Sequence, residues 1–443
     1  MKTVLVLGAG LVAGPHVKYL LDHGFRVIVA SRTLGKAENL IGDHPNGEAK
    51  EYDITKDKDK SKLDELVKEA DLSVSLLPYT YHVYVAKACI KNKKHMVTTS
   101  YVSPEMKELD RAAKEAGIII LNEIGVDPGI DHMSAQKIID SIHKKGGKVE
   151  KFHSYCGGLP APEASDNPFG YKISWSPRGV LLAGRNDGKF LKDGKVVEIP
   201  GVDLFDHHYE YPVDGLGVLD AYPNRDSVPY IDIYGIPEAK TMFRGTLRNK
   251  GWCETLKKFA DTGILAIEEQ DIPKGTTYGE YLRKLMDLPE GDIREVTAKK
   301  LGLPVDSEIL DRFEWMGLFS DEEVPYERSA PIDVLGYQFQ KRLQYREGER
   351  DMLVMVHEFI ADYGEYKEKI TSTMLDFGLQ DSNGSSSMSR TVGLPASIGV
   401  RMILEGTITD TGVHIPVKKS IYEPVLKELE EMNIGFKEKI VKL

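Results

Sequence analysis

The sequence predicts an α/β protein: a doubly wound parallel sheet at the start, followed by a mixed α+β region that carries a small helical insertion. Three observations predict it. Short apolar runs alternate with helical stretches up to about residue 130, the first run ends in a glycine turn, and after Val149 the alternation gives way to short strands, loops and then a long run of helices. Strands alternating with helices imply a parallel sheet wound by right-handed crossovers.

At 443 residues the chain exceeds the roughly 250 to 300 residues that one core spans, so two or three domains are expected. Lys plus Arg number 58 against 69 Asp plus Glu, a net charge of −11, which disfavours nonspecific binding to nucleic acid or an anionic membrane. Any anionic ligand must therefore meet a local basic cluster. Cys89, Cys156 and Cys253 have neither CxxC nor Cys/His ligand spacing, so no disulfide framework and no metal site is expected. No apolar run reaches the roughly 18 residues of a membrane span, and Met1-Lys2 leads straight into the first strand, so a cytoplasmic protein is expected.

The first strand, 3–7, runs into Gly8-Ala9-Gly10-Leu11-Val12-Ala13-Gly14 and a helix over 15–23. Read as G-x-G-x-x-A, this turn has a reason at each position. Gly8 bends tightly, Gly10 lets a pyrophosphate approach the backbone, and Ala13 lets the helix pack closely with its N-terminus facing the anion. The second strand, 26–30, ends in Ser31-Arg32-Thr33, where a binder of NAD would place an acid for the ribose 2′-hydroxyl. An Arg between two hydroxyls suits a 2′-phosphate instead, so NADP is expected.

Further strands are expected at 49–53, 72–77, 96–100 and 118–121, separated by helices at 61–70, 81–92 and 104–116, the last capped by Ser103 with Pro104 in its first turn. In such sheets the ligand lies beyond the carboxyl ends of the strands. Those ends are Asp53, Leu77-Pro78-Tyr79-Thr80, Thr99-Ser100-Tyr101 and the turn Asp127-Pro128-Gly129, so Asp127 is expected in the crevice with Gly8 and Gly10. Asp131 reads as the N-cap of a helix with Met133, Ile138, Ile139 and Ile142 on one face, ending at Gly146-Gly147. A first domain over 1–130 and a second beginning at 131 follow.

The second domain is expected over 131–251 and 346–387. It would hold a strand at 152–156, a loop at 157–162, a helix opened by Ser176-Pro177-Arg178 and a hairpin turning at Asp193-Gly194. Tyr222-Pro223-Asn224-Arg225-Asp226 and Phe243-Arg244-Gly245-Thr246-Leu247-Arg248 set arginines beside turn-formers, an arrangement that can bind carboxylates. Helices near 252–260, 278–286, 293–300, 307–316 and 332–344 form the insertion, 252–345. Strands near 352–359 and 365–373, a Ser/Gly-rich loop at 381–387 and an apolar helix at 395–404 follow, with 388–443 returning to the first domain.

Several ordered stretches resemble one family. They are Val97-Thr98-Thr99-Ser100-Tyr101-Val102-Ser103-Pro104, Asn122 to His132, Ser154-Tyr155-Cys156-Gly157-Gly158-Leu159-Pro160-Ala161-Pro162, residues 174–182, Ala221 to Ser227, and Arg244 to Arg248. Together they resemble the NADP-dependent, glutamate-forming saccharopine dehydrogenases. The resemblance implies a Rossmann domain, a mixed-sheet domain for substrate binding and dimerisation, and a small helical domain. It implies a reaction in which 2-aminoadipate 6-semialdehyde and L-glutamate form an imine that NADPH reduces to saccharopine, in lysine metabolism.

Residue by residue, the resemblance implies that Arg225 and Arg248 bind substrate carboxylates, with Thr246 and Leu247 lining the site. Ser100 and Tyr101 would touch cofactor and substrate, and Asp127, Cys156 and Tyr101 are the catalytic candidates. Gly8, Gly10, Leu11, Val12, Ala13, Ser31, Arg32, Thr33, Asp53, Leu77, Thr99, Ser100, Val126, Asp127, Pro128 and Ser176 are the cofactor candidates. Pro177, Gly184 and residues 373–384 depart from the fungal pattern. Two other readings are an imine reductase using another amine, such as a carboxynorspermidine synthase, against which the arginines for glutamate's carboxylates count, and a non-catalytic NADP-binding regulator, against which the joint presence of Asp127, Cys156, Arg225 and Arg248 counts.

Overall fold

The computed structural model describes residues 1–380 and 385–443. The chain divides into two compact units, residues 1–147 with 372–438, and residues 148–371 with 439–443.

The first unit opens with β1 (Thr3–Leu7), α1 (Ala13–Asp22), β2 (Arg26–Ser31), α2 (Leu34–Ile41), β3 (Gly47–Glu51), α3 (Ser61–Glu69), β4 (Leu72–Ser75), α4 (His82–Asn92) and β5 (His95–Thr98). It continues through α5 (Pro104–Lys107), α6 (Asp110–Ala116), β6 (Ile119–Leu121) and α7 (Ile130–Lys144). The expected helix over 104–116 is two helices, because the amide of Leu109 bonds back to the Met106 carbonyl in a tighter turn. Ser103 caps α5 by accepting from the Met106 amide, as expected.

The second unit contains β7 (Lys148–Pro160), α8 (Pro177–Ala183), β8 (Gly188–Lys192), β9 (Lys195–Ile199), β10 (Tyr209–Val213), β11 (Gly217–Pro223), α9 (Tyr230–Ile233) and β12 (Thr241–Arg248). Then come α10 (Trp252–Asp261), β13 (Gln270–Asp271), α11 (Tyr278–Met286), α12 (Ile293–Leu301), α13 (Glu308–Trp315), β14 (Arg328–Ser329), α14 (Pro331–Arg342) and β15 (Asp351–Asp362). The chain finishes with β16 (Lys367–Phe377), α15 (Ser387–Leu404), β17 (Gly412–His414), α16 (Lys419–Glu431) and β18 (Lys437–Lys442).

The first unit's sheet is parallel throughout, in the order β17-β6-β5-β4-β1-β2-β3. The run 3-2-1-4-5-6 within it is that of doubly wound dinucleotide-binding folds. Both faces are covered, which is why β1 reads as an unbroken apolar run. Leu5 and Leu7 pack with buried residues of α3, α4 and α6, while α15 lies against α1 and β5.

The division places α7 with the first unit, 17 residues beyond the expected boundary at 130, through its packing on α16. The α7 cap position is Gly129, not Asp131; Asp131 sits inside the first turn and accepts the Gly129 amide at 2.6 Å. The late helix begins at Ser387, not at Pro395. Ser386 caps it by accepting the Ser389 amide, and Pro395 lies in its interior. The expected loop at 381–387 falls partly outside the described residues.

The second unit's sheet is mixed, in the order β10-β11-β12-β7-β15-β16-β18, with the β8–β9 hairpin attached through β12. That hairpin turns at Asp193-Gly194 with φ of 48° and 79°, as its Asp-Gly pair predicts. The expected loop at 157–162 is strand as far as Pro160. A side chain at Gly157 would come within 2.7 Å of the Leu247 carbonyl, so glycine there lets β7 run close to its neighbours. Helices α10 to α14 stay within the second unit, around Phe169, Trp252, Phe259, Phe313 and Phe339.

Candidate active site

The sequence puts a glycine at the end of β1 because the backbone there runs against β4. Gly8 has φ of 112°, donates to the Ala30 carbonyl at 2.9 Å, and a Cβ on it would lie 2.9 Å from the Leu76 carbonyl oxygen. Gly10 is the opposite case: a Cβ there would meet nothing within 4 Å. That open side is where a phosphate can approach backbone. Ala13 is fully buried at the first turn of α1, and no side chain caps that helix, so its free amides remain available to an anion. Leu11 is exposed and Val12 half-buried beside them.

Ser31 is buried at the end of β2, and its Oγ accepts the Thr33 amide at 3.3 Å, leaving Arg32 and Thr33 exposed. Asp53 Oδ1 accepts from both Thr55 groups, which holds its carboxyl below the usual range, with the charges of Lys56 and Arg32 assisting. Leu77 and Thr99 are half-buried at the ends of β4 and β5. This set fits a phosphorylated dinucleotide: an open glycine, an uncapped helix and an exposed guanidinium.

The chain after β6 turns through Gly125 to Gly129. Gly125 donates to the Pro128 carbonyl, Ile130 donates back to Gly125, and Asp131 donates to Val126. Gly129 has φ of 148°, and a Cβ on it would lie 2.1 Å from the Gly125 oxygen, so only glycine closes this turn. Val126 and Pro128 are buried and Asp127 is half-buried. Tyr101 Oη donates to Asp127 Oδ1 at 2.9 Å, so the structure brings two catalytic candidates together.

Two buried polar residues bonded to these segments escaped the sequence reading. His82, buried on α4, lies 2.8 Å from Ser75 Oγ through Nδ1 and 2.8 Å from Ser100 Oγ through Nε2. Burial pushes its imidazole down to about 4, so it is neutral near pH 7. Glu123, also buried, accepts the Val102 amide with Oε1 at 2.9 Å and meets His132 Nε2 with Oε2 at 2.8 Å. The only signal for either was a polar residue beside an apolar strand or helix face.

In the second unit, Cys156 is buried on β7, outside any disulfide, opposite Thr246 of β12 and Met355 of β15. Thr246 in turn faces Tyr222 across to β11, and Leu247 is fully buried. Arg248, at the end of β12, is buried beneath the rings of Tyr171 and Trp252, at 5.2 and 5.7 Å from its guanidinium carbon. Its Nη1 donates to the Leu247 carbonyl and its Nε has no hydrogen-bond partner. Among the described residues no carboxylate pairs with it; its neighbours are Tyr222, Tyr171, Cys156 and Cys253. Burial pushes the Tyr222 phenol up to about 12, against the pull of Arg248, so the pocket supplies no anion of its own.

Arg225 is exposed in the turn after β11, with φ of 56°. Ser176 uses its hydroxyl to cap α8, accepting the Gly179 amide at 3.2 Å. Among the described residues no cluster of His, Cys, Asp and Glu could hold a metal ion, and no helix is long and apolar enough to cross a membrane.

Family models for the saccharopine dehydrogenase NADP binding domain and the saccharopine dehydrogenase C-terminal domain match residues 4–121 and 125–434. The chain belongs to the saccharopine dehydrogenase family. The glutamate-forming, NADP(+)-dependent saccharopine dehydrogenase of Pyricularia oryzae is 43% identical over 99% of each chain. That of Schizosaccharomyces pombe is 42% identical over 100% of this chain and 99% of its own. The apo structure of the glutamate-forming enzyme from Saccharomyces cerevisiae is 41% identical, covers 100% of both chains and has a TM-score of 0.88. As a saccharopine dehydrogenase family member, the protein is an oxidoreductase, and its first unit is an NADP(H)-binding domain.

Proposed function

We propose that this protein joins 2-aminoadipate 6-semialdehyde to L-glutamate and reduces the resulting imine to saccharopine, reversibly, in lysine metabolism. The full-length match to glutamate-forming relatives carries the reading. Neither the diamine-using nor the non-catalytic alternative has a comparable match. The feature of the structure that accords best with it is Arg248. An unpaired buried guanidinium is costly to fold around, and a substrate carboxylate would compensate it with bidentate hydrogen bonds.

Saccharopine carries three carboxylates, and Arg225 and Arg248 are the proposed cations for two of them, with Thr246 and Leu247 lining their setting. Gly8, Gly10 to Ala13, Ser31 to Thr33, Asp53, Leu77, Thr99, Ser100, Val126 to Pro128 and Ser176 are the proposed cofactor contacts. Bound NADPH supplies the hydride that reduces the imine carbon. Imine formation releases protons and water, so a base and an acid must reach the reacting nitrogen and oxygen. Asp127 is the proposed acceptor of the proton from glutamate's ammonium group. Tyr101, already hydrogen-bonded to Asp127, is the proposed donor to the departing hydroxyl, and Cys156 is proposed beside the substrate.

We also propose a cytoplasmic homodimer, in keeping with three cysteines outside any disulfide; sedimentation equilibrium at twice the chain mass is the expected result. The functional test follows NADPH absorbance with the semialdehyde and, in turn, glutamate, lysine and diamines. Oxidation with glutamate alone is expected. Preference for a diamine, or a flat trace with glutamate despite NADPH binding, would overturn the proposal.

A further inference from the structure

Glu123 is placed where a carboxylate is difficult to keep. It is buried, it holds φ of 55°, and the backbone on either side is the end of β6 and the start of the Gly125 turn. A non-glycine residue in that region of φ is strained and persists where surrounding contacts enforce it. Contacts to two segments do so here. The Glu123 amide donates to the Ser100 carbonyl at 3.1 Å, and Oε1 accepts the Val102 amide at 2.9 Å. Tyr101 is thus clasped by its two neighbours in sequence. On the other side Oε2 meets His132 Nε2 at 2.8 Å, on the first turn of α7, the helix that begins as the Asp127 turn closes. Asp131, beside His132, holds the Gly129 amide at 2.6 Å.

We infer that Glu123 is a positioning residue for the reaction: it clamps the backbone of Tyr101 to the turn of Asp127 and so fixes the geometry in which their hydrogen bond can pass a proton. The inference rests on the proposed roles of Tyr101 and Asp127. Glu123 touches neither reacting atom. Its effect is transmitted through the Ser100 carbonyl, the Val102 amide and His132; Ser100 and the Asp127 turn are also proposed cofactor contacts, so the loss should be larger in turnover than in cofactor affinity. A misplacement of about 1 Å costs up to roughly a hundredfold in rate.

The experiment compares Glu123→Ala, Glu123→Gln and Tyr101→Phe with the double variant Glu123→Ala/Tyr101→Phe, measuring kcat, KM for glutamate and the dissociation constant of NADPH. Glu123→Ala is expected to lower kcat by on the order of ten- to a hundredfold, with NADPH binding weakened by a smaller factor. Glu123→Gln keeps the oxygen that Val102 needs and is expected to restore most of kcat, also where the alanine variant folds poorly. The double variant is expected to be no slower than the slower single variant, because both changes disable one unit. Unchanged kcat in Glu123→Ala, no rescue by glutamine, or multiplicative losses in the double variant would each overturn the inference. Unchanged kcat in Tyr101→Phe would instead overturn the proposed role of Tyr101, which distinguishes the two failures.

Discussion

Glu123 and Arg248 are buried to the same extent, each 5% exposed, and their surroundings differ completely. Glu123 has an amide on one oxygen and an imidazole on the other. Arg248 has one backbone carbonyl, two ring faces and a nitrogen without a partner. A buried charge satisfied from within holds architecture, whereas one left unsatisfied is held ready for a ligand of opposite charge. In the first unit Glu123 thus has a partner on each carboxylate oxygen beside Tyr101 and Asp127, whereas in the second Arg248 keeps a nitrogen without one.

Arg248→Met attacks the open side and should have the largest effect. Loss of a buried charge pair with a substrate carboxylate is expected to reduce kcat/KM for glutamate on the order of a hundred- to a thousandfold. The same change should leave the thermal midpoint unchanged or raise it, since it removes an uncompensated charge; a calorimetric scan showing a large fall would contradict this. Asp127→Ala attacks the completed side. It should cost on the order of a hundredfold in kcat while NADPH binding persists, and unchanged turnover at saturating substrate would remove Asp127 from the mechanism. Arg32→Asp should weaken NADPH by about ten- to a hundredfold, the worth of a charge-assisted hydrogen bond, with NADH little affected in fluorescence titrations.

The last effect concerns stability and is confined to acid pH. Burial pushes both His16 and His82 from 6.5 down to about 4. Between those values the unfolded chain binds protons that the folded one refuses. Stability is therefore full above pH 6.5 and lost as pH falls toward 4, with a slope of about 1.4 kcal/mol per pH unit for each histidine. Urea midpoints across this range should show the slope, and His82→Gln should reduce it.

How much of this was legible depended on whether a pattern was local. The parallel sheet followed from apolar strands separated by helices, and the Gly8 turn from its own spacing. Helix α2 was missed because its eight residues give Leu34, Ala37, Leu40 and Ile41 only two turns in which to show a period, and β17 because three residues carry no period. Glycines at 157 and 158 read as loop, although they serve a strand with close neighbours. In the candidate site, the crevice position of Asp127 followed from the strand ends, while the roles of Tyr101, Asp127 and Arg248 followed from family motifs. Glu123 and His82 did not follow from either, since what distinguishes them is a set of partners on separate elements, and the burial of Arg248 without a carboxylate was not visible in the sequence.

The contrast between the two regions is tested most directly by titrating NADPH and saccharopine separately into Arg248→Met by calorimetry. The account predicts NADPH binding like that of the unaltered protein and saccharopine binding weakened on the order of a hundredfold or more. Saccharopine bound as tightly as before, or both ligands weakened alike, would contradict it.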